Sequence, residues 1–286
     1  MWIAFAFGSA FFAGVTAVLA KIGIRNTDST VATAIRTVII LLFSWIIAGI
    51  TGAVNDIGSI TGKTLLFLIL SGAATGGSWL CYFKALQIGN VNKVTPVDKS
   101  STVLTMLLAF IILGEKLNAV KIICMILIAA GTYLMITKKK QDKEITGSGW
   151  LLYAILSAVF ASLTSILGKI GISGINSNLG TAIRTIIVLI MAWFMVFITG
   201  KQNELKNISR QNFLFICLSG LTTGLSWLCY YKALQDGQAS VVVPIDKLST
   251  LVTIVFSYFI LKEKLTKKSF AGLILMTAGT LLLVIM

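Results

Sequence analysis

Residues 78–102 read SWLCYFKALQIGNVNKVTPVDKSST, and residues 226–250 read SWLCYYKALQDGQASVVVPIDKLST. The two stretches stand 148 positions apart, and the same offset relates KIGI at 21–24 to its copy at 169–172. The two prolines of the sequence, Pro96 and Pro244, are also partners under this offset. A gap-free repeat of this length indicates an internal duplication. The chain therefore consists of two copies of one structural unit.

Composition places both units in a membrane. Of the 286 residues, 57% are hydrophobic and 12% are charged, against about 45–50% and 25% in soluble domains. A membrane-spanning helix needs about 20 apolar residues. The first unit has five such runs, near 2–24, 30–50, 63–87, 93–113 and 119–137, and the second unit repeats them. We predict an all-α integral membrane protein with ten transmembrane helices in two five-helix repeats.

The odd number of spans in each unit predicts that the second repeat enters the membrane upside down. We expect a first repeat at 1–137, a basic cytoplasmic linker at 138–148 and a second, inverted repeat at 149–286. Inverted repeats of this kind are a hallmark of secondary transporters.

The distribution of basic residues predicts the orientation. The loop after the second span carries Lys63 in the first unit, but Lys201, Lys206 and Arg210 in the second, and residues 138–143 form a lysine-rich junction. Basic loops favour the cytoplasmic side, which puts both termini outside the cytoplasm. We therefore predict a multi-pass protein of the plasma (bacterial inner) membrane. Its net charge of +14 then faces lipid headgroups, and we expect no nucleic-acid partner.

The sequence lacks the residues that several kinds of catalytic and binding sites require. The chain has no histidine, no GxxxxGK loop and no CxxC pair, and its four cysteines lie within apolar runs. Zinc sites, Ser/His/Asp triads and phosphate-binding loops need those elements. We therefore predict no enzyme activity, no metal site, no cofactor and no transport driven by ATP.

Asp98 and Asp246 are repeat partners, and both fall within the fourth apolar run of their unit. A charged residue at the centre of a membrane helix costs about 2.5–3.5 kcal/mol on insertion scales. Each carboxylate should face the protein interior or a watery cavity, either in a structural ion pair or on a transport path. Pro96 and Pro244 precede them and are expected to break the helix. Interrupted helices at matching positions of two repeats point to a binding site.

Polar residues follow each aspartate at helical spacing, so they should share its face. They serve either as hydrogen bonds between helices or as lining of the path, and they are Ser101 and Thr102 in the first unit and Ser249 and Thr250 in the second. Lys99 and Lys247 lie about 100° around the helix from the aspartates. We expect these lysines to meet different partners.

The remaining candidates are cations and aromatic residues. Arg36 and Arg184 lie inside the second spans, where a guanidinium must pair with an aspartate or bind an anion. Lys84 and Lys232 lie near the ends of the third spans and either snorkel or face the path. The aromatic candidates, which either anchor the interface or line a cavity, are Trp79, Tyr82, Trp227 and Tyr230. The cations outnumber the anions, which favours a substrate with a carboxylate or phosphate.

Motifs along the whole chain resemble the drug/metabolite transporter superfamily, specifically its EamA-type ten-helix branch. The residues that carry the likeness are Ala85-Leu86, Pro96, the LGEKL string at 113–117 and Gly131, with Ala233-Leu234, Pro244, LKEKL at 261–265 and Gly279 in the second unit. The PVDKSST and PIDKLST strings also resemble single-unit, five-span proteins, here fused in tandem. The resemblance implies a central cavity between the halves, alternating access, termini outside, and often export.

Together these features predict a secondary active transporter of a small polar metabolite, amino-acid-like or anionic, with export favoured over import. Asp98 and Asp246 are the candidates for coupling to a proton or cation. The expected partners are the small-molecule substrate, the coupling ion and the lipid bilayer. The alternatives are a passive facilitator or channel, and an exporter of organic cations or drugs. The sequence leaves substrate identity and oligomeric state open.

Overall fold

The computed structural model describes residues 1–24, 27–88, 91–135, 149–261 and 266–285. The regular structure within these ranges is helical. The helices in chain order are α1 (Trp2–Gly23), α2 (Ser29–Ile50), α3 (Gly62–Ile88), α4 (Val91–Lys99), α5 (Ser101–Leu113), α6 (Ala119–Met135), α7 (Trp150–Ile172), α8 (Ser177–Ile198), α9 (Arg210–Asp236), α10 (Ala239–Lys247), α11 (Ser249–Leu261) and α12 (Lys267–Ile285). Short 3-10 helices at Ala53–Ser59 and Gln202–Asn207 follow the second span of each repeat.

The fourth span of each repeat is two helices rather than one continuous helix. The breaks fall at Ser100, between α4 and α5, and at Leu248, between α10 and α11. At both breaks the backbone turns more tightly: the Ser100 N–H donates to Val97 O at 3.2 Å, and the Leu248 N–H to Ile245 O at 2.9 Å. Pro244 lies inside α10, and Pro96 lies in α4 with its side chain outside the described part. Each break therefore comes directly after an Asp-Lys pair.

The fold class is the predicted one. Among the described residues, eight helical segments are long and apolar enough to cross a membrane, and α6 is a shorter apolar helix. Large apolar side chains such as Leu42, Ile111 and Phe259 are exposed on the outside, where lipid would cover them. The predicted linker, 138–148, lies outside the described residues. The protein is an all-α integral membrane protein built from two inverted five-span repeats.

Helix packing is two-fold symmetric. Helix α1 packs against α9 as α7 packs against α3, while α2 pairs with α8 and α6 pairs with α12. Each of these contacts maps onto another, or onto itself, when the repeats are exchanged. Glycines permit the close approach: a Cβ added at Gly72 would lie 2.7 Å from Ile187 Cβ, and one at Gly220 would lie 2.8 Å from Ile39 Cβ. These contacts bring each third span against the arginine-bearing second span of the other repeat.

Candidate functional site

A central cavity lies between the two repeats and has two neighbouring lobes. The larger lobe measures about 400 Å³ and the smaller about 360 Å³, a size that suits a small metabolite. The lobes share part of their lining, namely Arg36, Ser78, Trp79, Ala161 and Lys247. Both repeats contribute to this shared wall.

The two predicted aspartates face this cavity, Asp246 in the larger lobe and Asp98 in the smaller. Ser9 donates a hydrogen bond to Asp246 at 2.6 Å, and its repeat partner Ser157 donates one to Asp98 at 2.7 Å. Each aspartate is thus held by a serine from the first helix of the other repeat. Within the described chain, no lysine or arginine forms an ion pair with either aspartate. Serine hydroxyls therefore hold both carboxylates at the edge of the cavity.

Arg184 is held on all sides by α3 and α9. Its Nη2 donates to Thr75 Oγ1 at 2.7 Å and its Nε to Ser71 Oγ at 3.4 Å. Its Cζ lies 5.1 Å from the ring centroid of Trp227 and 4.6 Å from that of Tyr231, distances at which a cation is attracted to an aromatic face. With 1% of its surface exposed, Arg184 is enclosed by protein.

Arg36, the repeat partner of Arg184, has a different environment. It lines both lobes and a third cavity of about 90 Å³. Its Nε is buried and finds no hydrogen-bond partner among the described residues. Thr223, which corresponds to Thr75, donates to Ser219 O at 2.7 Å, as Thr75 does to Ser71 O at 3.0 Å, but among the described residues it accepts no hydrogen bond from Arg36. The guanidinium of Arg36 therefore lacks the hydroxyl contact that holds its partner.

The cavity has an excess of positive charge. Lys247 lines both lobes, and Lys99 lines the smaller lobe with an exposed side chain. The cations of the lining are Arg36, Lys99, Arg184 and Lys247, and the anions are Asp98 and Asp246. An anionic group on a ligand would balance this charge.

The aromatic candidates also reach the cavity. Trp79 lines both lobes, Tyr82 the smaller lobe, and Trp227 and Tyr230 the larger. The Tyr230 hydroxyl lies 2.7 Å from Ser165 Oγ. These rings give the cavity apolar walls between its charged groups.

The predicted hydroxyl residues divide between the cavity and the helix packing. Ser101 lines the smaller lobe. Thr102 is buried, Ser249 and Thr250 are partly buried, and these three lie outside the lining of both lobes. Of the four predicted hydroxyl residues, one therefore lines the cavity.

Lys84 and Lys232 lie at the ends of α3 and α9, away from both lobes. Lys84 Nζ donates to Gln87 at 3.0 Å, and Lys232 Nζ lies 3.1 Å from the Asp236 carboxylate. Both lysines therefore contact side chains about one turn further along their own helices.

Sequence reasoning missed the hydroxyl residues that support the site, which are Ser9, Ser157, Ser71 and Thr75. The signal was available for the serines, because Ser9 and Ser157 are small polar residues in apolar runs at the repeat offset. A search for repeated polar residues within spans would have found that pair.

The first repeat closes over the start of α10. The Glu115 carboxylate accepts the backbone N–H groups of Ala239 at 2.6 Å and Ser240 at 3.0 Å. Lys121 Nζ donates to Gln238 Oε1 at 2.7 Å and to Ser240 Oγ at 3.2 Å. We call these five residues the α10 clamp. It ties the two repeats together at one face of the membrane.

Helix α4 is less enclosed than α10 at the positions that the structure describes in both. Residues 239–245 of α10 are all buried, whereas Thr95 and Val97, the counterparts of Val243 and Ile245, are partly exposed. Glu263, the counterpart of Glu115, lies outside the described residues. Because the repeats are inverted, α4 and α10 begin at opposite faces of the membrane.

Known proteins resemble the chain both in each half and over its whole length. Residues 1–137 and 148–285 match the EamA-like transporter family. A Sinorhizobium protein named "Uncharacterized transporter in cobO 3'region" is 41% identical over 136 residues, which cover 96% of that protein and 48% of this chain. It is therefore about the size of one repeat.

Two further similarities concern longer proteins. A Bacillus subtilis protein named "Uncharacterized transporter YxxF" is 27% identical over 162 residues, which span 55% of this chain and 50% of that protein. A solved crystal structure superposes with a TM-score of 0.79 at 13% identity, covering 98% of this chain and 94% of its own. The latter similarity shows the fold alone.

Proposed function

Since the chain belongs to the EamA-like transporter family, we propose that it is a secondary active transporter, rather than an enzyme, that exports a small polar metabolite. The observation that carries this proposal is the charge-lined cavity between the repeats. Four cations and two carboxylates face it, which is costly for a chain in lipid unless the groups serve a substrate or an ion. The proposed substrate is anionic or amino-acid-like.

The proposed mechanism is alternating access. The two repeats would rock about the cavity, so that it opens first toward one face of the membrane and then toward the other. The α10 clamp and the lesser burial of Thr95 and Val97 in α4 support a conformation closed at the α10 face. The proposed orientation, with both termini outside the cytoplasm of a plasma-membrane protein, places the α10 face outside. The cavity would then be ready to load substrate from the cytoplasm.

Asp98 and Asp246 are the proposed coupling groups, because each is a carboxylate inside the cavity held by one serine hydroxyl. A proton or cation taken up there would change the charge that the substrate meets. We expect D98N and D246N to abolish accumulation driven by a gradient while preserving exchange of substrate for substrate.

The test uses purified protein in proteoliposomes with an imposed proton or sodium gradient. The solutes are amino acids, nucleobases, organic cations and sugar phosphates, and the matched control is D56N, which changes an exposed carboxylate. Uphill accumulation by the wild-type and D56N proteins, lost in D98N and D246N, supports the proposal. Equilibration without accumulation identifies a passive facilitator, accumulation of organic cations alone identifies a drug exporter, and unchanged accumulation by both mutants excludes these coupling groups.

A further inference from the structure

We infer that Arg36 binds the anionic group of the substrate, and that its repeat partner Arg184 has a structural role instead. This inference rests on the proposed transport function and adds a specific recognition residue to it. It also makes the substrate site asymmetric, although the repeats that enclose the site are similar in sequence.

The Nε atom of Arg36 is an unsatisfied donor. Its Nε is buried and finds no partner in the part of the chain that the structure describes, although arginine stays charged in proteins. A buried donor on a charged group is costly unless it is paired. The side chain lines both lobes of the cavity, so a ligand there would meet the charge of a guanidinium that the described protein groups leave partly unpaired.

Arg184, in contrast, is fully engaged by the protein. Thr75 and Ser71 accept hydrogen bonds from its Nη2 and Nε, and the rings of Trp227 and Tyr231 lie within 5.1 Å of its Cζ. Its polar and aromatic contacts are thus already supplied by α3 and α9. Its role is to hold these helices against α8.

The groups around Arg36 indicate the class of ligand. A guanidinium presents a planar fork of donors that fits a carboxylate or a phosphate. Lys247 and Trp79 line both lobes together with Arg36. The lysine offers a second positive charge, and the indole offers an apolar wall. The ligand is therefore a small organic anion, bound through its carboxylate or phosphate at Arg36 and Lys247, with its body against Trp79.

The test measures the thermal stability of the purified full-length protein with three probes. Sodium malate carries carboxylates, glycerol 3-phosphate carries a phosphate ester, and tetramethylammonium chloride is a cation. A ligand that binds the native state raises the melting temperature. We expect one or both anions to stabilise the wild-type protein and the cation to have no effect. The anion that acts distinguishes a carboxylate site from a phosphate site.

The variants assign the effect to Arg36. R36Q should weaken anion binding about ten- to hundredfold, the range for a lost hydrogen bond to a charged group. R36K keeps the charge without the fork and should bind with intermediate affinity. R210Q, which changes an exposed arginine, should bind as the wild type does. A melting curve without probe shows whether each variant is folded. If R36Q is unfolded, the comparison of R36K with the wild type provides the test.

Two results would overturn the inference: neither anion stabilises the wild-type protein, or R36Q and R36K bind anions as the wild type does. Transport separates this failure from failure of the proposed function. If proteoliposomes accumulate a solute while Arg36 variants keep their anion affinity, the transporter proposal stands and the Arg36 site is wrong. If anions bind through Arg36 but no solute accumulates, the Arg36 site stands and the proposal of active transport is wrong.

Discussion

Arg36 and Arg184 occupy the same position in two copies of one AIRT motif, yet their surroundings differ. Arg184 is 1% exposed and donates to Thr75 at 2.7 Å. Arg36 faces three cavities and has a buried Nε without a partner in the described chain. The lesson is that duplication fixes which residues enter the membrane core, whereas their roles depend on the neighbours that the other helices supply.

The neighbours differ by one hydroxyl. Tyr231 packs its ring on Arg184, whose Nε also donates to Ser71. The residue at the corresponding position beside Arg36 is Phe83, which lines the smaller lobe. Phenylalanine has no hydroxyl, so the ring at this position beside Arg36 carries no hydrogen-bonding group.

The two faces of the membrane differ in a similar way. At the α10 face, the clamp residues connect the repeats through direct, partly buried hydrogen bonds. At the opposite face, Lys201 forms an ion pair with Asp28 between side chains that are 39% and 21% exposed. Exposed pairs contribute little, typically at most about 1 kcal/mol. The described contacts therefore hold the α10 face more firmly.

Removing the Arg184 guanidinium should have the largest effect on this comparison. We expect R184Q to lower the free energy of unfolding by about 3 kcal/mol, because it removes charged hydrogen bonds and two cation–ring contacts. R36Q should change it by less than about 1 kcal/mol, since the side chain loses no protein hydrogen bond from its Nε. Denaturation in detergent measures both. Equal losses in the two variants would contradict the assignment of separate roles.

Neutralising Glu115 should have the next largest effect. Charge-assisted hydrogen bonds are about twice as strong as neutral ones, so E115Q should weaken the α10 clamp by about 1.5 kcal/mol. The backbone amides of Ala239 and Ser240 would then exchange hydrogen about tenfold faster, which mass spectrometry of this segment measures. E204Q alters an exposed carboxylate and is the matched control. Unchanged exchange in E115Q would show that the clamp does not close this face.

Acidification should have the smallest effect on stability, through Asp28 at the face opposite the α10 clamp. Burial raises the pKa of Asp28, but hydrogen bonds from Lys201, Val31 and Thr30 and the lysine charge outweigh it, so the pKa lies below its ordinary value of 3.8. A carboxylate with a lowered pKa stabilises the fold above its unfolded pKa, and this stability is lost as the pH falls through the folded pKa.

The measurement is the melting temperature of D28N and wild type from pH 7 down to pH 3. We expect D28N to be less stable at neutral pH by up to about 1 kcal/mol, with the difference disappearing below the ordinary pKa. D56N, at an exposed position of the 3-10 helix Ala53–Ser59, should show no such pH dependence. A difference that persists at the lowest pH would exclude the charge of Asp28 as its cause.

Much of the fold could be predicted from the sequence, because the apolar runs and the 148-residue repeat offset are both visible in the linear order of residues. The break in the fourth span could be anticipated from Pro96 and Pro244. The exact positions of the breaks, at Ser100 and Leu248, could not be predicted from the sequence. They depend on which carbonyl oxygen accepts the backbone hydrogen bond at each turn.

The site was only partly predictable. Charged residues within spans, such as Asp98 and Asp246, stand out because lipid penalises them. The difference between Arg36 and Arg184 could not be seen in two identical motifs, since it depends on Thr75 and Tyr231 from other helices. The positions of Lys84 and Lys232 beside helix-end partners likewise depend on where α3 and α9 stop.

The central claim is that one cavity opens to each side of the membrane in turn, and sided labelling of Ala161, which lines both lobes, tests it most directly. The variant is A161C with the four native cysteines replaced by serine, reconstituted in liposomes. We predict that a membrane-impermeant maleimide labels residue 161 from either side while the liposomes stay tight to small ions. Labelling from one side alone, or a permanent ion leak, would contradict the account.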